Sequence, residues 1–102
     1  MTQRQHPNDR TRELLVVALK LAERTGWRTL TRDAIAEAAS VSPGLVSARL
    51  GTMDDMRRSV MRLAVRERCL PVLAEGLAVR DRHALKADDA LRQAAAAWMV
   101  RV

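Results

Sequence analysis

The chain has few of the residue types on which enzymes, metal sites and secreted proteins depend. Among 102 residues there is one cysteine, Cys69, and there are four glycines. A lone cysteine excludes an internal disulfide and a cysteine metal cluster, and we expect it to be buried and inert. The chain also lacks a glycine-rich phosphate loop and a Ser-His-Asp constellation at recognisable spacing. We therefore predict no enzymatic activity, no cofactor and no metal site.

Aromatic residues and long apolar runs are also scarce. The chain has two tryptophans and no tyrosine or phenylalanine. Because proteins that bind single strands or RNA loops stack bases on aromatic side chains, the composition argues against both targets. No apolar run approaches the roughly 18 residues that a membrane-spanning helix needs. The polar N-terminus carries no secretory signal, so we expect a cytoplasmic protein without membrane contact.

What the chain has in excess is arginine. Lysine and arginine total 18 against 12 acidic residues, a formal net charge of +6, and only Lys20 and Lys86 are lysines. Residues 1–68 hold 13 basic and 8 acidic residues, whereas residues 69–102 hold 5 and 4. Guanidinium groups match phosphates and guanine edges well, and a localised basic excess is typical of nucleic-acid binding. A GC-rich genome is the alternative explanation for the arginines, but it does not explain the asymmetry.

Residues 31–50 show the pattern of two short helices joined by a tight turn. Thr31 can cap a first helix in which Ile35 belongs to an apolar stripe. Ser42 followed by Pro43 is typical of a second helix start, and Gly51 can end that helix with a positive φ. Such a pair is a helix-turn-helix, whose second helix lies in the major groove of double-stranded DNA. Periodicity alone leaves open two amphipathic helices of an unrelated small α-domain.

The second helix of this pair has a small outward face. With Val46 and Leu50 turned to the core, the outward residues are Gly44, Ser47 and Ala48, with Leu45 and Arg49 on the flanks. A small face lets a helix sit deep in the groove. Arg49 can reach a guanine edge or a phosphate, Ser47 either kind of partner, and Leu45 or Ala48 a thymine methyl group.

A set of residues around this stretch has a characteristic spacing: Gly26, Trp27, Thr31, Ile35, Ala36, Ala39, Val41, Ser42, Gly44, Val46, Leu50 and Thr52. In this order they closely resemble the N-terminal DNA-binding domain of TetR-type transcriptional repressors, over about residues 9–65 and without a gap. The resemblance implies an all-α fold, with a TetR-like three-helix DNA-binding domain that contains the helix-turn-helix, followed by short C-terminal helices. More faintly, the run from Ser47 to Met53 is similar to small repressors of conjugative plasmids.

The resemblance and the helix faces together predict the residues that contact DNA. These are Arg28, Thr31, Arg32, Ser42, Pro43, Gly44, Leu45, Ser47, Ala48, Arg49, Thr52 and Arg57. Four positions depart from the family pattern. Ser40 stands where the family usually has glycine, and Leu50 replaces a core phenylalanine. Ser47 replaces a tyrosine and Met53 a lysine that commonly meet the DNA backbone, so nearby arginines would have to supply those phosphate contacts.

We expect three parts along the chain: a flexible basic arm at residues 1–8, the helix-turn-helix DNA-binding domain at residues 9–70 and a C-terminal helical dimerisation element at residues 71–102. The arm carries Arg4. The first helix should run from about Asp9 to Thr25, capped by Asn8 or Asp9. A capping box of Thr52 and Asp55 should start the fourth helix, which should end near Cys69.

The C-terminal part should begin with a helix break at Pro71, because proline cannot sit in an undisturbed helix interior. We expect a short helix to about Val79 and then a polar connection at residues 80–83, with His83 at the surface. The last helix should start between Ala84 and Asp88 and carry an apolar stripe that continues to Val102. The predicted dimer interface is Leu91, Ala94, Ala95, Trp98 and Met99; the alternative is that this helix folds back on helices 1 and 4.

The functional prediction is a homodimeric, sequence-specific repressor on a near-palindromic operator, with half-sites about one helical turn, or ~34 Å, apart. A chain of this length has no room for the ligand-binding domain usual in the TetR-type family, so the resemblance implies no small-molecule inducer. The alternative is a helical protein-interaction module that has lost DNA binding, which Ser47 and Met53 motivate. A steep salt dependence of affinity for duplex DNA would separate the two.

Overall fold

The computed structural model describes residues 7–101, with side chains for residues 9–100, and all the regular secondary structure in this part of the chain is α-helical. The predicted all-α class is therefore confirmed. None of the helices in this part is long and apolar enough to cross a membrane. In chain order they are α1 (Pro7–Thr25), α2 (Arg32–Ala39), α3 (Pro43–Leu50), α4 (Met53–Glu67), α5 (Leu70–Ala78), α6 (Arg82–Leu85) and α7 (Asp89–Arg101).

One hydrophobic core holds these helices together. Each contributes at least one side chain that is almost fully buried: Leu14, Ile35, Val46, Met56, Leu73, Ala84 and Leu91. The helix α5 packs against α1, α4, α6 and α7, and α7 packs mainly against α5. The predicted boundary after residue 70 therefore does not separate two cores. The helical backbone is interrupted at Arg68 and Cys69, just before Pro71, but the apolar side chains on both sides belong to the same cluster.

The first helix begins earlier than the sequence predicts. It starts at Pro7, where proline is compatible with the first turn, so residues 7 and 8 belong to α1 and not to the predicted arm. Asn8 and Asp9 lie inside that first turn, and their predicted capping role is wrong. The rest of the arm, residues 1–6, and Val102 lie outside the described residues.

The predicted caps of α2, α3 and α4 are confirmed. The hydroxyl oxygens of Thr31 and Ser42 each accept a hydrogen bond of 3.1 Å from the backbone N–H three residues later. Thr52 and Asp55 form the full capping box, with bonds of 3.0 and 3.1 Å in the two directions. The hydrogen bonds from Thr52 lower the pKa of the Asp55 carboxyl group, with a smaller contribution from the Arg58 charge. These caps begin the helices within one residue of the predicted starts.

The break at Pro71 is confirmed, although the flanking helix ends differ from the prediction. The helix α4 ends at Glu67, because Arg68 adopts the left-handed conformation with φ 56°. Pro71 is the second residue of α5, where its missing N–H leaves no helical hydrogen bond unmade. Cys69 is buried, as predicted, and its thiol donates to a carboxylate oxygen of Glu23 over 3.1 Å. Burial, with that hydrogen bond, raises the pKa of the Cys69 thiol to about 11, which keeps it protonated.

The short helix α6 is not part of the prediction. It occupies residues 82–85, where the sequence suggests a polar connection. The Asp81 carboxylate caps it by accepting hydrogen bonds from the N–H groups of His83 and Ala84, over 3.0 and 3.1 Å. Contrary to expectation His83 is half-buried, and its burial, followed by the nearby positive charge of Arg62, lowers its pKa.

Gly76 allows α4, α5 and α6 to approach closely. A Cβ atom at this position would lie 2.9 Å from the Cβ of Ala84 and would overlap the end of the Met61 side chain. Met61 is fully buried at this crossing. The glycine that weakens α5 as an isolated helix is therefore the residue that permits its tertiary packing.

We expect Gly76→Ala to lower the free energy of unfolding by about 1–3 kcal/mol, because overpacking outweighs alanine's helix propensity of about 1 kcal/mol. Urea unfolding followed by circular dichroism measures the change. Gly44→Ala is the matched control, since Gly44 is exposed and an added Cβ meets nothing nearer than the Ser42 hydroxyl oxygen at 3.9 Å. A Gly76→Ala variant as stable as Gly44→Ala would contradict the packing argument.

Candidate nucleic-acid interface

The turn between α2 and α3 has the geometry of a tight helix-to-helix connection. Only residues 40–42 separate the helices, and Ser40 adopts the left-handed conformation with φ 57° and ψ 44°. The Ser40 N–H donates to the Glu37 carbonyl over 3.2 Å, and the Val41 N–H donates to the Ala36 carbonyl over 3.0 Å. This is the Schellman pattern, in which glycine avoids the steric cost of positive φ. Ser40, at the position where TetR-type domains usually have glycine, therefore still permits the turn.

The second helix is fixed by two buried side chains and presents the rest of its surface to solvent. Val46 and Leu50 lie in the core, and Val41 packs partly against it. The other predicted positions of α3 are Pro43, Gly44, Ala48 and Arg49, which are exposed, and Leu45 and Ser47, which are half-buried. Gly44 and Ala48 therefore form an exposed small face, whereas Ser47, predicted to point outward, and Leu45 on the flank are less exposed than the periodicity suggests.

The capping hydroxyls are exposed and keep hydrogen-bonding capacity. Thr31, Ser42 and Thr52 lie at the solvent-exposed starts of α2, α3 and α4. Each hydroxyl oxygen accepts a backbone N–H. The O–H groups of Thr31 and Ser42 can still donate to an acceptor such as a phosphate oxygen, whereas the Thr52 hydroxyl also bonds to the Asp55 carboxylate. A residue can therefore stabilise its helix and contact a nucleic-acid backbone at the same time.

The four predicted arginines differ in how available they are. Arg28 and Arg49 are exposed, whereas Arg32 and Arg57 are half-buried. The Arg57 guanidinium lies 3.5 Å from the Asp54 carboxylate, so it would have to share this ion pair with a phosphate. The Nε of Arg32 is enclosed and has no hydrogen-bond partner among the described residues. Arg28 and Arg49 are thus the arginines that can reach a ligand without rearrangement.

The two positions at which the usual phosphate contacts are absent have a structural explanation. Met53 packs partly against the hydrophobic core, and Ser47 is half-buried on α3. Neither side chain carries the positive charge of lysine or the phenolic hydroxyl of tyrosine, which TetR-type domains commonly have at these positions. Phosphate contacts in this region would have to come from the cap hydroxyls and the exposed arginines.

The loop that leads into α2 is held by Glu75, a residue of α5 that the sequence analysis did not identify. Its carboxylate accepts hydrogen bonds from the backbone N–H groups of Trp27 and Arg28, the second over 3.3 Å. The indole N–H of Trp27, which is buried, donates to the Arg57 carbonyl on α4 over 2.9 Å. The backbone from which the Arg28 side chain extends is therefore held in place by two other helices, α4 and α5. Glu75 is the only charged residue of α5, which is the one sequence signal that could have indicated its role.

The predicted dimer residues fall into two groups. Leu91 and Ala95 are buried within the chain's own core, so the prediction that they face a second subunit needs correction. The reason is that α7 covers α5, which the sequence alone did not suggest. Ala94 is half-buried, Trp98 packs partly on the core, and Met99 is 41% exposed. Of the five residues, Met99 is the most accessible to a partner.

Comparison of the chain with known protein families, curated proteins and solved structures finds no match. The resemblance to TetR-type domains thus rests on the residue pattern. Among the described residues, no group of three His, Cys, Asp or Glu side chains comes together as a metal site would require.

We expect Glu75→Ala to lower the free energy of unfolding by about 1–3 kcal/mol, because two backbone N–H groups lose their acceptor. Amide hydrogen exchange at Trp27 and Arg28 should accelerate more than exchange at Ile35. Glu37→Ala, which removes an exposed carboxylate from α2, is the control and should change stability by less than about 0.5 kcal/mol. Unchanged exchange at Trp27 and Arg28 would show that Glu75 does not hold this loop.

Proposed function

We propose that the protein is a sequence-specific, double-stranded DNA-binding transcriptional repressor that acts as a homodimer on a palindromic operator. The observation that carries the proposal is the α2–turn–α3 unit, in which three residues join two eight-residue helices and the second helix is seated by Val46 and Leu50. A helix-turn-helix of this form places its second helix in the major groove. The spacing of the TetR-like residues adds independent support.

The surface chemistry of α3 is suited to duplex DNA. Gly44 and Ala48 leave room for close approach to the groove floor, and Arg49 projects from the exposed side. The net charge of +6 supplies the non-specific attraction to phosphates on which such proteins depend. We assign backbone contacts to Arg28 and the cap hydroxyls, and base contacts to Arg49, Ala48 and the accessible part of Leu45.

The proposed homodimer would use the end of α7. Met99 and Val100 are 41% and 86% exposed, although they follow directly on Trp98, which packs against the core. Exposed large apolar side chains on a helix whose other face is buried favour contact with a second copy. Two copies related by a two-fold axis would present two α3 helices ~34 Å apart, one per half-site.

The DNA-binding proposal is tested by fluorescence anisotropy of the protein with its own promoter-proximal duplex and with a scrambled duplex, at two salt concentrations. Tight binding that prefers the native duplex and weakens steeply with salt is the expected result. Weak and equal binding to both duplexes would refute sequence-specific recognition. That result would favour the alternative, a protein-interaction module that has lost DNA binding. The alternative is supported by Ser47 and Met53, because neither residue has a long polar or charged side chain for a phosphate contact.

Arg49→Ala should weaken specific binding by about 1–3 kcal/mol if Arg49 reads a base, because a bidentate contact to guanine is lost. The ratio of specific to scrambled affinity should then fall. Arg82→Ala, which removes an exposed arginine from α6, is the control for the loss of one charge. An equal loss of affinity for both duplexes would instead indicate that Arg49 contacts a phosphate. An unchanged affinity for both duplexes would show that Arg49 does not contact DNA.

Met99→Glu should lower the dimerisation affinity while leaving the helical content unchanged, because a charge on an exposed apolar contact opposes burial. Sedimentation velocity across a concentration series measures this. Val79→Glu is the matched control, since Val79 is 39% exposed but lies at the end of α5. Equal sedimentation of the two variants and the unmodified chain would exclude Met99 from a dimer interface.

A further inference from the structure

A groove runs between α1 and α4 on a surface that the proposed function does not use. We define the α1–α4 groove by six residues that line it: Arg12, Leu15, Val16, Arg62, Leu63 and Arg66. Its volume is about 510 Å³, and it adjoins a second cavity of about 570 Å³ that shares Val16 and Leu63 and reaches Trp98. The two cavities also share Glu67, so they adjoin along α1 and α4, and an elongated surface of this kind can accept a partner helix.

The floor of the α1–α4 groove is aliphatic. Leu15 and Leu63 are half-buried against the core, and Val16 is 37% exposed. A DNA backbone gains nothing from such a floor, because phosphate and sugar contacts are made with polar and charged groups. A partner with apolar side chains of its own would remove this surface from water.

The rim of the groove is positively charged and unneutralised. Arg12, Arg62 and Arg66 are exposed, and none of them forms an ion pair within the described residues. Five other arginines do pair with carboxylates: Arg10, Arg57, Arg58, Arg68 and Arg92. Arg62 and Arg66 are one helical turn apart, so their like charges repel by a few tenths of a kcal/mol. Among the described residues, Glu67 is the only carboxylate that lines the groove.

We propose that the α1–α4 groove binds an acidic amphipathic helix of a partner protein. Apolar side chains at helical spacing would pack on Leu15, Val16 and Leu63, while flanking carboxylates would pair with the three rim arginines. A second copy of the chain fits less well, since a two-fold contact through this groove would bring arginines against arginines. The site is separate from the α3 surface and does not depend on the DNA-binding proposal.

The test uses a fluorescein-labelled, acetylated and amidated peptide of about 20 residues, long enough to be helical, with leucines on one face and glutamates on the other. Anisotropy measures its affinity for the full chain. We expect R62E/R66E to weaken binding at least about tenfold, which is 1.4 kcal/mol. R24E/R82E makes the same change in net charge at exposed arginines outside the groove and should retain binding. If R62E/R66E loses helical content, R62Q/R66Q replaces it.

Two further peptides test the charged rim and the aliphatic floor of the groove separately. A peptide with lysine in place of glutamate should bind R62E/R66E better than it binds the unmodified chain, because the charges are exchanged. A peptide with glutamine in place of leucine should bind the unmodified chain much more weakly, because it cannot cover the aliphatic floor.

Three results would overturn the proposal. Equal weakening of peptide binding by R62E/R66E and R24E/R82E would mean that the peptide responds only to the net charge of the chain and does not bind at the groove. An unchanged peptide affinity with a lower affinity for duplex DNA would make the rim arginines phosphate contacts. A change in sedimentation of R62E/R66E without peptide would identify the occupant as a second copy.

Discussion

The loop before α2 depends on one carboxylate that lies 48 residues further along the chain. Glu75 accepts two successive backbone N–H groups, at Trp27 and Arg28, while the Trp27 indole is anchored on α4. The start of the helix-turn-helix is therefore fixed from α4 and α5 together. A unit cut at residue 70 would lose this acceptor and seven of the 23 buried hydrophobic residues that form the described core. The C-terminal helices are thus a structural part of the proposed DNA-reading unit.

Three helices of this chain end in the same way without glycine. Ser40, Arg68 and Arg80 all adopt φ between 56° and 58°, and the residue after each donates to the carbonyl five positions back. The hydrogen bonds of the Schellman pattern offset the steric cost of a left-handed side-chain residue. Two of the three residues carry a long charged side chain that remains in solvent. The sharp changes of direction that assemble the bundle therefore do not require glycine at these positions.

The helix α7 shows how one element can serve both the core and a surface. Leu91 and Ala95 are buried against the chain itself, whereas Met99 and Val100 extend into solvent. The apolar stripe predicted as a dimer interface is thus buried in its first part and exposed at its end. In the same manner, α4 buries Val60 and Ala64 while Arg62 and Arg66 form part of the α1–α4 groove rim. The proposed partner surfaces are the outer edges of helices whose inner faces make the core.

The local features of this protein follow from the sequence. The caps at Thr31, Ser42 and Thr52, the break at Pro71 and the inward positions of Val46 and Leu50 depend on contacts within a few residues, so spacing and side-chain chemistry predict them. The long-range features do not follow from it, because they depend on which helices meet. The Glu75 contact joins residues 48 positions apart, Met61 is buried only because Gly76 admits it, and α6 exists only with Asp81 and the core beneath Ala84. The sequence by itself determined most of the helices and their caps, because these depend on neighbouring residues, and only the tertiary packing decided the short helix α6 and which apolar faces remain exposed.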